Sequence, residues 1–282
     1  MKYTMKNKTL FVTVESYGAE MVSVEYNGKE RLWQNATGEW AGHAPLLFPV
    51  CGHFGVTVDG VSYPISAHGF AKKSEFALEK SGENFLTFSL SSNENTKKVY
   101  PFDFIFRVTY RVDGGKLTVE YAVENTGDKP LYFACGSHET YALDQNVDGY
   151  ELRFEKDETF THLYHDKAGY LTGETKEFGN GKTFALPRDF LQNGETIIFQ
   201  DLSSRKLALW EKSGEKLADV TFDGFSNLLL WRNGDGKFIC IEPWTNLPDP
   251  AGAKDSEFST KAGVMKVEKG KTKTLTRTIT YY

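Results

Sequence analysis

An all-β fold, built as one large antiparallel β-sandwich, is what this chain predicts, and three observations carry the prediction. Period-two alternation of apolar residues recurs along the chain, no segment holds a 3.6-residue period over a dozen positions, and clusters of Gly, Asn, Asp and Lys punctuate the alternating runs. So many strands need two packed layers to cover their apolar faces. No Pro/Gly/Ser-rich linker, low-complexity segment or fixed-period repeat divides the sequence, so residues 1–282 read as a single domain.

The elements follow in order. Leu10, Val12 and Val14 share one face of an opening strand, and a second short strand falls at residues 85–90. The cleanest alternation is Phe104, Phe106, Val108, Tyr110 and Val112, with Asp103, Arg107 and Arg111 on the opposite face. Asp113-Gly114-Gly115 turns the chain and Leu117, Val119, Tyr121 and Val123 bring it back, which defines a β-hairpin. Further strands are expected at residues 150–154, 197–200, 206–210, 218–222, 228–231, 238–242 and 272–281. The 238–242 strand should stop at Pro243, which has no N–H for the ladder.

Composition narrows the function classes. Thirty-three basic against 38 acidic residues give a net charge of −5, which argues against a nucleic-acid surface and a polybasic membrane patch. Apolar residues at 40% and charged residues at 25% suit a globular protein that builds its core without disulfide or metal staples. Aromatic residues reach 14%, and such flat side chains serve pleated sheets and sugar-binding clefts alike. The best apolar run, Leu46 to Cys51, is far short of the roughly 20 residues of a membrane helix and contains a proline. Residues 1–10 carry lysines with no apolar stretch behind them, so no secretory signal is expected. Three widely spaced cysteines without a CxxC pair (Cys51, Cys135 and Cys240) point to reduced thiols in a cytoplasm. Each lies two or three positions before a candidate functional residue: His53, His138 or Glu242. These spacings match no common zinc motif, so the cysteines read as small buried side chains, and no metal or cofactor is expected.

Three segments hold the candidate chemistry. His68 lies in Ser66-Ala67-His68-Gly69-Phe70 and His138 in Cys135-Gly136-Ser137-His138-Glu139; glycine beside each lets the backbone approach a ligand or turn a side chain into a cleft. Either histidine alone is more often a hydrogen-bonded structural residue than a catalyst. Glu242 ends the apolar run Phe238-Ile239-Cys240-Ile241, beside Pro243 and Trp244. A partly desolvated carboxylate there has the raised pKa of a useful base. A charge blunting a sheet edge is the alternative reading.

Taken in order and spacing, Gly18-Ala19-Glu20-Met21, Leu32-Trp33-Gln34, Glu39-Trp40, His43 to Gly52, His68-Gly69-Phe70-Ala71-Lys72, Gly136-Ser137-His138, Leu202-Ser203-Ser204-Arg205, Asn227 to Trp231 and Ile241-Glu242-Pro243-Trp244 resemble the aldose 1-epimerase (galactose mutarotase) family, in its bacterial LacX-like branch. The resemblance implies a β-supersandwich with an open hexose cleft and cofactor-free interconversion of α and β anomers. It assigns Glu242 as the general base at the anomeric hydroxyl, His138 as the general acid at the ring oxygen, and His68 as a hydrogen-bond partner near that oxygen.

This chain departs from the family pattern where His53 and Lys72 stand in place of arginines. The acidic sugar-binding residue falls to Glu195, with Asp189 as rival. Trp244 is the tryptophan expected against the sugar, ahead of Trp40 and Trp231, whereas His43, His162 and His165 receive no role. A free aldohexose is the expected substrate, taken by a monomer or homodimer. The alternatives are a hexose 6-phosphate, held by Lys72, Lys73 and Arg232, and a sugar-binding protein with little turnover.

Overall fold

The computed structural model describes residues 1–282. Fifteen strands form one continuous antiparallel sheet. Its path begins at Leu46–Leu47 and passes through Gly136–Ser137, Phe238–Trp244, Asn227–Trp231, Ile197–Phe199 and Tyr150–His165. It then crosses Lys206–Glu211, Lys216–Thr221, Thr272–Tyr281, Lys116–Asn125, Phe104–Asp113 and Phe85–Ser91, and ends at Ala77–Gly82. Glu139–Ala142 adds to Phe238–Trp244, and Leu171–Ala185 adds to Tyr150–His165. Helix is confined to two four-residue segments and three single 3₁₀ turns, and no helix is long and apolar enough to cross a membrane.

The two predicted layers are present, made by this one sheet folding over its own core. Phe48, just beyond the first strand of the path, stacks on Phe106 of Phe104–Asp113 with ring centroids 4.4 Å apart. Glu139 from one layer is ion-paired with Arg277 from the other, both fully buried. A separate four-stranded sheet (Lys2–Lys6, Leu10–Glu15, Met21–Tyr26 and Lys29–Glu30) closes the far end, where the Tyr110 hydroxyl donates to the Ala19 carbonyl at 2.7 Å. The alternating hairpin pairs from Phe104–Asn125 to Asp113–Lys116, and its even-numbered residues on the first strand enter the core as the pattern requires.

Two expectations change. The strand predicted at 150–154 runs from Tyr150 to His165, with register shifts between Arg153 and Glu158, between Thr159 and Thr161, and between Leu163 and His165. Buried positions keep one phase throughout, at residues 150, 152, 154, 158, 160 and 162, but residue 156 is exposed and Glu158 and His162 are polar, so the apolar period-two signal fades although the strand continues. Nor does the chain stop at Pro243, since Phe238–Trp244 continues with Leu228 opposite Pro243 on one side. On the other side the ladder is interrupted between Gly136–Ser137 and Glu139–Ala142, so no partner there requires the missing N–H.

Candidate active site

Two neighbouring strands, Asn227–Trp231 and Phe238–Trp244, are buried on both faces. Leu228, Leu230, Ile239 and Ile241 join the main core. Leu229, Trp244, Phe238 and Cys240 belong to small apolar clusters on the opposite side. That opposite side floors a cleft of about 340 Å³, within the range of small-molecule sites. Alternation places Cys240, Glu242 and Trp244 on it together. Phe238–Trp244 is an interior strand, so Glu242 is not a charge blunting an edge.

The same ladder delivers the second functional group. Glu139 pairs with Ile241 and Gly136 with Trp244, a register that brackets His138 opposite Glu242. Directly opposed residues hold their side chains in contact. His138 Nε2 accordingly lies 3.3 Å from Glu242 Oε1. One position along, Cys240 faces Thr140, and Sγ and Oγ1 are hydrogen-bonded at 3.3 Å. Trp40 stacks on the His138 imidazole at 5.3 Å, and its indole N–H donates to Thr140 Oγ1. Trp231 meets both rings edge-on.

His68 arrives from a loop. Both His68 and Gly69 adopt left-handed backbone conformations, with φ of 64° and 67°. The turn is pinned where Gly69 meets the Phe48 carbonyl, so closely that a Cβ there would have no room. Gly52 N–H donates to His68 Nδ1 at 3.1 Å. With Nδ1 accepting, a neutral His68 carries its proton on Nε2 and offers the cleft a donor. Its ring meets Trp244 edge-on at 5.2 Å and His138 at 6.0 Å. Lys72, on the 3₁₀ turn after this loop, lines the same cleft; His53 stands exposed at its rim beside Tyr170.

Burial governs the electrostatics. It pushes the Glu242 carboxyl well above the ordinary range, Glu139 adds to the rise, and the Trp244 indole and Lys72 oppose it. Burial also pushes His138 down to about 3, a shift that Lys72 reinforces. His68 is likewise lowered, first by burial and then by Lys72 and its histidine neighbours. Burial thus disfavours the charged form of both groups, whereas the residue types alone suggest a carboxylate beside an imidazolium. Glu242 Oε2 and His138 Nδ1 are buried without hydrogen-bond partners, which is unusual for polar atoms.

The residues predicted from sequence divide clearly. His68, His138, Glu242, Lys72, His53 and Trp244 all line this one cleft. Glu195 and Asp189 are exposed and outside it. The chain passes Thr196 and Ile198 along the cleft instead, on the face opposite the core residue Ile197, and Glu195 precedes the strand Ile197–Phe199. The basic trio is not assembled either. Lys73 points to solvent, and Arg232 is buried against the Gly234 carbonyl, 3.8 Å from Asp235.

Sequence reasoning gave no role to His165, yet it lines the cleft. Its Nδ1 is 2.9 Å from the Asp166 carbonyl and its Nε2 has no partner. Trp40 and Trp231 join Trp244 in the lining, and their indole N–H groups are committed to Thr140 and the Gly194 carbonyl. All three cysteines are buried and free. The one group of three metal-ligating side chains is His138, Cys240 and Glu242, whose ligand atoms lie within 4.8 Å of one another.

The fold recurs in solved structures of galactose mutarotase-like proteins. A galactose mutarotase related enzyme from Lactobacillus acidophilus superposes with a TM-score of 0.89 at 27% identity, over 100% of this chain and 97% of that one. A galactose mutarotase-like protein from Lactobacillus casei ATCC 334 gives 0.90 at 26% identity, with both chains fully covered. In sequence, the chromosomal protein LacX of Lactococcus lactis subsp. lactis is 30% identical over 267 residues, spanning 88% of each chain. The family model described as aldose 1-epimerase matches residues 1–249. The chain belongs to the aldose 1-epimerase family. Membership supports a mutarotase-type isomerase with a sugar substrate.

Proposed function

We propose that this protein interconverts the α and β anomers of a free aldohexose, with Glu242 as general base and His138 as general acid. The observation that carries the reading is the buried His138–Glu242 pair, 3.3 Å apart on the floor of a cleft that His68 also enters. Glu242 takes the proton of the anomeric hydroxyl while His138 gives one to the ring oxygen. The bond from C1 to the ring oxygen breaks, leaving an aldehyde. Rotation about C1–C2 and closure on the other face of the carbonyl complete the exchange, with each group reversing its role. The His68 Nε2–H suits a ring or hydroxyl oxygen as acceptor.

Proton bookkeeping agrees with the buried environment. Burial raises the carboxyl and lowers the imidazole, so a proton shared by the pair is drawn toward Glu242; the reactive arrangement holds it on His138. Binding a sugar needs no exchange with solvent, only transfer within the pair. A neutral hexose is preferred because, of the three basic residues proposed for a phosphate, only Lys72 reaches the cleft.

The test is mutarotation of freshly dissolved α-galactose, α-glucose and glucose 6-phosphate, followed by polarimetry or NMR. Glu242→Gln keeps shape and a hydrogen bond but accepts no proton, so kcat should fall about 10²–10⁴-fold, roughly 3–5 kcal/mol in the barrier, while sugar binding persists. Near-wild-type turnover by this variant refutes the mechanism. Sugar binding without wild-type turnover favours a binding protein.

A further inference from the structure

We propose that His138, Cys240 and Glu242 form a site for a soft divalent cation of the zinc class, whose occupation withdraws both proton-transfer groups and switches turnover off. The inhibitory half rests on the assignment of that pair above; the binding half stands independently of it.

Nitrogen, sulfur and oxygen donors from one histidine, one cysteine and one carboxylate make a set that zinc accepts. Their placement is set by strand pairing. Cys240 and Glu242 are alternate residues on one face of Phe238–Trp244, and His138 is held opposite Glu242 by the paired residues on either side. The Nε2–Oε1 separation of 3.3 Å matches the edge of a tetrahedron whose zinc–nitrogen and zinc–oxygen bonds are about 2.0–2.1 Å. With a zinc–sulfur bond of about 2.3 Å the remaining edges are about 3.5 Å. The cysteine sulfur, within 4.8 Å of the other two donors, therefore needs to approach by at most about 1.3 Å.

A second observation points to a ligand at the same place. Glu242 Oε2, on one of the three donor groups, is buried with no hydrogen-bond partner, unusual for a polar atom that has lost its water. His138 and Glu242 line the cleft whereas Cys240 lies behind them, so three protein ligands would leave the fourth position facing the cavity. The step balances simply. The Cys240 S–H bond breaks, a sulfur–metal bond forms, and the proton passes to solvent, with no change of oxidation state.

Cobalt(II) is the probe, because a cysteine thiolate bound to it gives a near-ultraviolet charge-transfer band that does not depend on turnover. Full-length wild-type protein should develop this band on titration with cobalt alone, and zinc should abolish it. Cys240→Ser and Cys240→Ala should lose the band and bind cobalt at least about tenfold more weakly, while Cys51→Ser and Cys135→Ser retain it. Zinc at about a hundred times its dissociation constant should raise the wild-type melting temperature by several degrees and that of Cys240→Ala by much less. No band in folded wild-type protein, or an undiminished band in a folded Cys240 variant, overturns the site. With the band confirmed, Cys240→Ala should retain mutarotation and resist zinc concentrations that inhibit the wild type. Equal inhibition of both overturns the switch. A band in a protein that turns over no aldose leaves metal binding supported and the catalytic reading refuted.

Discussion

Gly69→Ala is the perturbation that most directly tests how the His68 loop is held. A Cβ built on Gly69 lies 2.1 Å from the Phe48 carbonyl oxygen, 2.5 Å from its carbon and 2.7 Å from Pro49 N. Ordinary carbon contacts lie at about 3.5–4.0 Å, so the two backbones must separate by more than about 1 Å. That movement stretches the bonds from Phe70 N–H and Ala71 N–H to the Phe48 carbonyl, now 3.0 and 3.2 Å. Left-handed backbone adds about 1–2 kcal/mol for a residue with a Cβ, and each lost hydrogen bond about 0.5–1.5 kcal/mol. The expected destabilisation is therefore about 2–5 kcal/mol.

Gly60→Ala is the matched control. Gly60 has φ of 75° with nothing within 4 Å of its added Cβ, so only the backbone cost of about 1–2 kcal/mol applies. Urea denaturation of both variants measures the difference, and sugar titration should show a raised KM for Gly69→Ala alone, as His68 is displaced. Equal destabilisation by the two substitutions would refute the close-approach argument.

Other consequences can be measured separately. In the proposed pair, burial raises the Glu242 carboxyl and lowers His138 to about 3. The Glu242-dependent change in kcat/KM should therefore be displaced above the ordinary glutamate value; a change with an apparent pKa near 4.3 contradicts the shared-proton account. Glu139→Gln leaves the fully buried Arg277 without its counter-charge, and denaturation should show a loss of about 3–5 kcal/mol; less than 1 kcal/mol refutes the pairing argument. His165 donates Nδ1–H to a carbonyl and retains Nε2 as an acceptor, so His165→Phe should raise KM about 3–10-fold with kcat nearly unchanged. An unaltered KM removes His165 from substrate binding.

Legibility followed burial geometry. The 104–125 hairpin alternates because one face meets the core and the other does not, and its sequence announces it. Asn227–Trp231 and Phe238–Trp244 lie between core and cleft, so Leu228-Leu229-Leu230 and Ile239-Cys240-Ile241 read as plain apolar runs in which cleft floor and core are alike. Glu242 stood out there only because a charge broke the run. His68 and His138 were marked by adjacent glycines. His165 had no such mark: it closes the strand Tyr150–His165, where neither a neighbouring glycine nor a broken apolar run singles it out. Glu195 rested on the family pattern alone, and the structure leaves it exposed outside the cleft.

The position of Thr272–Tyr281 has a consequence for how the molecule comes into being. This strand, drawn from the last residues of the sequence, sits inside the large sheet, between Lys116–Asn125 and Lys216–Thr221, and carries Arg277 to its buried partner. Until it arrives, the hairpin half of the sheet and the half bearing the cleft have no shared ladder, and Glu139, next to His138, has no counter-charge. The two halves are therefore joined in one ladder only when this strand is paired between them. Contacts this distant along the chain make for slow folding. The formed cleft and cooperative resistance to unfolding should consequently be acquired together rather than in succession.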